Sequence, residues 1–136
     1  MEFNDLMERI INKTGCKSAA SGDDQFREYK LTFQLDNFRK QEVTIYPFEE
    51  EGKSFMRMLT YVADRSEFTD SGLISFLELN TSLCYGAFAL YNNNIVISCS
   101  ELIPEEDGID RVIDKLKYIV KMADKSEEIA VGLDKK

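Results

Sequence analysis

The chain has 136 residues, 43% of them hydrophobic and 31% charged, the length and composition of one globular domain over 1–136. Acidic residues outnumber basic ones 25 to 17, for a net charge of −8, and no basic run exceeds two residues. That balance argues against nucleic acid and anionic membrane, which are bound by clustered Lys and Arg, and favours basic or amphipathic protein segments as partners.

The chain opens on a helix, because Phe3, Leu6, Met7, Ile10 and Ile11 recur on one helical face. Asn4 is its expected N-cap and Gly15 its stop. Residues 18–24 are small and polar and read as a loop. Three strands follow. Over 29–35 the residues Tyr29, Leu31, Phe33 and Leu35 alternate with polar neighbours, and Asp36-Asn37 begins a turn. The second strand, 41–48, sets Val43 and Ile45 on one face and Thr44 and Tyr46 on the other. Pro47 lacks a ladder donor, so an edge or a strand end is expected there. After a turn at 49–52, the third strand, 54–62, is apolar on both faces, with Phe55, Leu59 and Tyr61 against Met56, Met58 and Val62. It is either central in the sheet or turned toward a partner.

A middle helix is expected over 70–83, capped by Thr69 or Ser71, with Leu73, Phe76, Leu77 and Asn80 on one face. A hairpin comes next: 86–91 and 95–99 flank Asn92-Asn93-Asn94, and Asn tolerates the positive φ of tight turns. The last helix follows Pro104-Glu-Glu-Asp-Gly108 and carries Ile109, Val112, Ile113, Leu116, Val120 and Ala123 at helical spacing. The tail, 132–136, is expected to fray. The order is α-β-β-β-α-β-β-α, with consecutive strands joined by short turns, so the class is α+β with an antiparallel sheet.

Chemistry-bearing motifs are scarce. The chain has no histidine, which removes Ser-His-Asp and Cys-His sites and nearly all catalytic zinc sites. Gly52-Lys53-Ser54 ends like a phosphate-binding loop, but Pro47 stands where that loop needs its first glycine, and the stretch joins two strands. Lys13-Thr14-Gly15 matches part of a serine-acylase signature without any Ser-x-x-Lys. The acidic clusters at 23–24, 49–51 and 105–107 lack the spaced pattern of a calcium loop and read as solvated turns. Cys16, Cys84 and Cys99 form no paired motif, and Cys99 reads as a small buried hydrophobe. Paired carboxylates meet only in three dimensions and leave no mark in sequence. No catalytic, cofactor-binding or metal-binding residue is therefore assigned. An acidic, amphipathic start and the lack of a long apolar run point to a cytoplasmic protein off the membrane.

What remains is apolar surface. If the alternation holds, Leu31, Phe33, Val43 and Ile45 face the helices, while Tyr46, Phe48, Ala87, Ala89, Tyr91 and Val96 stay on the opposite sheet face. Such a face docks a partner or a second copy, or is covered internally by a long helix; partner binding is the favoured reading. The expected protein-binding residues are Tyr46, Phe48, Met56, Met58, Tyr91 and Val96. The alternative is a small-molecule sensor or enzyme with a pocket between sheet and helices, lined by Met56, Met58 and Phe76.

The stretch 80–102 also resembles the central signature of YbjN-type proteins. It reads Asn80-Thr-Ser-Leu-Cys-Tyr-Gly86, Ala87-Phe-Ala-Leu-Tyr91, Asn92-Asn-Asn94 and Ile95-Val-Ile-Ser-Cys99. In that family a helix ends on Asn, a loop leads to a G-x-F-x-L strand, and a second apolar strand closes a hairpin. The resemblance extends in motif over 73–124. It implies the fold of class I type III secretion chaperones, and a small acidic homodimer that binds protein segments, chaperone-like or regulatory, without ATP. It offers no catalytic or cofactor residues, and it makes Asn80 and Gly86 fold-determining.

Overall fold

The structure, a computed structural model, describes residues 1–23, 27–36 and 38–134, with side chains described as far as Ile129. Helix α1 is Phe3–Thr14. Four strands follow: β1 Lys17–Ser21, β2 Glu28–Gln34, β3 Lys40–Glu50 and β4 Lys53–Asp64. Helix α2 is Asp70–Glu78, continued by a 3-10 turn at Leu79–Ser82. Strands β5 Ala87–Tyr91 and β6 Asn94–Leu102 form a hairpin, and helix α3 is Ile109–Asp134. The six strands make one antiparallel sheet in the order β1-β2-β3-β4-β6-β5. The class is α+β as expected, with one strand more than the expected order.

That strand is β1, which falls where a loop was expected. It pairs Lys17 with Thr32 through Ser21 with Glu28, and every one of its side chains is exposed. With no face to bury it shows no alternation, so its backbone pairing leaves no pattern in the sequence. Asp24 and Asn37, parts of the expected loop and turn, lie outside the described residues, as do Lys135 and Lys136. Backbone 132–134 continues α3 as helix instead of fraying.

Local chemistry explains most boundaries. Gly15 ends α1 in the left-handed conformation at φ +68°, its N–H donating to the Ile11 carbonyl. Asn4 is not the N-cap. Glu2 holds that position without a side-chain bond, and Asn4 Oδ1 accepts from the Tyr29 hydroxyl at 3.1 Å. Thr69 caps α2, its Oγ1 accepting from the Gly72 N–H at 3.0 Å. The β3–β4 and β5–β6 hairpins each turn on two residues with positive φ, Glu51-Gly52 and Asn92-Asn93, the backbone that a tight antiparallel turn requires. Pro47 does not end its strand; β3 runs three residues further, paired with β4 alone. The β2 ladder stops at Tyr29 opposite Ile45, so the donor that Pro47 lacks has no strand to meet.

All three helices pack on one sheet face. Phe3 of α1 meets Tyr29 edge-on at 5.6 Å, Phe76 of α2 meets Phe88 at 4.6 Å, and Lys115 of α3 pairs with Glu101 of β6. Under them Leu31, Val43, Ile45, Met56, Met58, Ile97 and Phe88 join Leu6, Ile10, Leu116 and Ile119 in one continuous core. Beside it, β4 carries a bulge between Tyr61 and Ala63. Gln41 fills the gap in the ladder: its Nε2 donates to the Tyr61 carbonyl at 2.7 Å and to Thr60 Oγ1 at 2.8 Å. A buried carbonyl left without a donor is costly, so this side chain is what makes the bulge tolerable.

Candidate functional site

The other sheet face carries no helix among the described residues. The register builds it row by row. The two-residue turn at Glu51-Gly52 sets Glu50 opposite Lys53, Phe48 opposite Phe55, Tyr46 opposite Arg57 and Thr44 opposite Leu59. The β4–β6 ladder continues those rows to Leu102, Ser100 and Ser98, and Tyr61 to Val96. The β5–β6 ladder adds Ala87, Ala89 and Tyr91.

Two side chains show that this face has an apolar centre of its own. Leu59 and Val96 are only 7% and 5% exposed, yet neither belongs to the core under the helices. Their burial comes from neighbours on the open face. Tyr61 and Tyr91 flank them, 46% and 47% exposed, and Leu102 stands at one corner, 50% exposed.

Arg57 organises the aromatic end. Its Nε donates to Ser100 Oγ at 3.2 Å and a terminal nitrogen to the Tyr46 hydroxyl at 3.4 Å. Its guanidinium carbon lies 4.3 Å from the Phe48 ring centroid and 6.0 Å from that of Tyr46. Phe48 in turn stacks on Phe55, with centroids 5.2 Å apart and planes 13° off parallel. A guanidinium over aromatic faces is held by their quadrupoles and remains able to stack on a further ring. Next to this corner a cleft of about 610 Å³ opens between Pro47, Phe48 and Ser54 and the start of α1.

The expected binding residues therefore divide. Tyr46, Phe48, Tyr91 and Val96 share the open face, as alternation foresaw. Met56 and Met58 do not; both are 0% exposed, in the core beneath the helices, since Met56 sits opposite Pro47 and Met58 opposite Ile45. They offer no surface to a partner. The pocket expected between sheet and helices is filled for the same reason, because Met56, Met58 and Phe76 are fully packed against their neighbours. Phe55, Arg57, Leu59, Tyr61 and Leu102 join the site although they were not assigned to it. The signal was present for Phe55 and Arg57: once the turn is confined to Glu51-Gly52, the register brings them beside Phe48 and Tyr46.

On the helix side, Lys115 pairs with Glu101, and its Nζ lies 5.1 Å from the Tyr85 ring, which meets Tyr118 edge-on. The Tyr118 hydroxyl accepts from the Cys84 N–H at 2.8 Å. Burial pushes the nearby Cys99 thiol up, against the opposing pull of Lys115. A thiol held protonated is a poor nucleophile, which fits Cys99 as a packing residue. Among the described residues no group of three or more metal-ligating side chains comes together, and no helix is long and apolar enough to cross a membrane. No family model and no curated protein matches the chain.

Proposed function

We propose that this chain is a cytoplasmic, non-catalytic protein-binding domain, chaperone-like or regulatory, and that it works as a homodimer joined through the open sheet face. The observation that carries this reading is the second apolar centre outside the main core, Leu59 and Val96 with Tyr61 opposite Val96, continued along the same face by Tyr46, Phe48 and Phe55. Strands ~4.8 Å apart and rising ~3.3 Å per residue give the six-stranded face a projected area of roughly 700 Å². With side-chain relief that approaches the ~800 Å² per partner of a standard interface.

Charge supports a second copy as the occupant. The whole chain carries −8, which opposes self-association at long range. The open face is different, with Lys17, Lys30, Lys40, Lys53 and Arg57 against Glu28, Glu42, Glu50 and Asp64 on its strands. The strand order has its midline between β3 and β4. A two-fold along that midline lays Tyr46 and Phe48 of one copy over Arg57 and Phe55 of the other. It also matches Glu50 of one copy with Lys53 of the other.

Light scattering coupled to gel filtration tests this on the full chain, with Arg57→Glu and the double variant Tyr46→Ser, Phe48→Ser beside the wild type. The expected result is twice the chain mass for the wild type and the single chain mass for both variants, with unchanged circular dichroism. A monomeric wild type, or variants that remain dimeric, would rule out this face as the interface.

A further inference from the structure

The acidic composition conceals one basic groove. On α3, Lys117, Lys121 and Lys125 recur every fourth residue and so lie along one stripe of the helix. Lys17 opens β1 directly after the turn at Gly15, and Lys40 opens β3 opposite Gln34. The β1 ladder ends at Lys17 opposite Thr32, because the chain turns away at Gly15 into α1. The last residues of β2, Phe33 and Gln34, are therefore flanked by β3 alone.

Two clefts meet over this uncovered strand end. One, of about 390 Å³, runs from the Gly15 turn past Lys17 and Lys40 to Lys117. The other, of about 420 Å³, shares Phe33, Gln34 and Lys117 with it and continues along α3 past Lys121 to Lys125. Together they form one channel with a floor of Phe33, Leu35 and Val120.

None of these five lysines has an ion pair among the described residues. The acidic side chain lining the channel is Asp124, and Arg39 holds it at 3.3 Å while also reaching Asp36 and Glu128. Lys117, Lys121 and Lys125 thus line one side of an apolar trough without counter-charges of their own, and Lys17 and Lys40 stand at its sheet end. Elsewhere the surface of a chain with net charge −8 repels anions.

From this we infer that the channel binds an extended acidic segment of a partner protein, with hydrophobic side chains interspersed among its carboxylates. Ammonium groups on the rim suit carboxylates, and the apolar floor suits the residues between them. From Lys117 to Lys125 the stripe spans ~12 Å, which about four extended residues match, and the Lys17–Lys40 end adds about two more. A simple anion would leave the floor unused, and a long polyphosphate chain would meet the repulsion of the remaining surface. Lys17 and Lys40 belong to the edge of the open sheet face, whereas Lys117, Lys121 and Lys125 stand on α3 outside it; the variants below change α3 alone, so they leave the sheet-face interface intact.

Fluorescence anisotropy tests it with a labelled peptide of alternating Glu and Leu, against a Lys-Leu peptide of the same length and pattern, inorganic tripolyphosphate and a short single-stranded RNA. The protein is the full chain, compared with Lys117→Glu, Lys121→Glu as a double variant and with Arg111→Glu, an exposed position at the start of α3 outside the channel and the open sheet face. The expected result is selective binding of the Glu-Leu peptide, weakened about tenfold by the double variant and by raised salt, and unchanged by Arg111→Glu. Light scattering of the double variant keeps the oligomeric state of the wild type, so failure here is distinct from failure of the sheet-face interface. No binding of the Glu-Leu peptide, equal binding by the double variant, or tighter binding of tripolyphosphate or RNA would each overturn the inference.

Discussion

Asn80 does the work of a missing strand. Its Oδ1 accepts from the Phe88 N–H at 2.5 Å and its Nδ2 donates to the Phe88 carbonyl at 3.5 Å, so one amide side chain closes the outer edge of β5. That edge belongs to a short, uncharged strand, the kind that otherwise recruits other chains. Asn80→Ala removes both bonds, and a loss of about 1–2 kcal/mol in urea unfolding is expected, with more aggregation on storage. Gly86, just before the strand, is at φ +75°, and an added Cβ would sit 2.9 Å from the Ser98 carbonyl oxygen. Gly86→Ala combines that contact with an unfavourable backbone and is expected to cost more than about 1 kcal/mol on the same measurement. Asp36 supplies a pH signature. The N–H groups of Phe38 and then Arg39, with the Arg39 guanidinium, hold its carboxyl below the ordinary value of 3.8. A depressed folded value stabilises above the unfolded one and is lost as pH falls through the folded one. The gap in urea midpoint between wild type and Asp36→Asn should therefore stay constant above about pH 5 and close as pH drops below 3.8.

At the scale of elements, what the sequence discloses is what has a face to bury. The periodicities of α1, β2, β3 and the start of α3 were legible because each presents Leu, Ile or Val to one core. Turn chemistry was equally legible at Gly15 and at Asn92-Asn93, where backbone geometry selects the residue. Elements defined by backbone pairing alone were not. Strand β1 buries nothing, so Lys-Ser-Ala-Ala-Ser carries no alternation to read. Boundaries set by a neighbouring strand were also hidden: Pro47 is tolerated inside β3 only because β2 stops short of it, a fact of register. The face of Met56 and Met58 was lost in the same way. In a strand apolar on both sides, composition does not say which side meets the helices, and only the pairing with Pro47 and Ile45 decides it.

For the whole molecule, the decisive feature is that the sheet has two apolar centres and the helices cover one. In the main core, Leu116 of α3 is fully buried between the helices and the sheet. Leu59 is also buried, but only by its neighbours on the open face. If that face joins two copies, folding is linked to association and stability depends on protein concentration. Each tenfold rise in concentration then adds about 1.4 kcal/mol per mole of dimer, or roughly 3 °C in the unfolding midpoint. Two variants separate the centres in differential scanning calorimetry run over a concentration series. Leu116→Ala should lower the midpoint at every concentration, by a loss of about 2–5 kcal/mol, while keeping the concentration slope. Tyr61→Arg should abolish the slope and leave a folded monomer, because at this half-exposed position of the open face a guanidinium reaches solvent in the monomer and is buried in the dimer. A wild type whose midpoint does not move with concentration would mean that the open face is solvated in the free protein, and would return it to a partner other than a second copy.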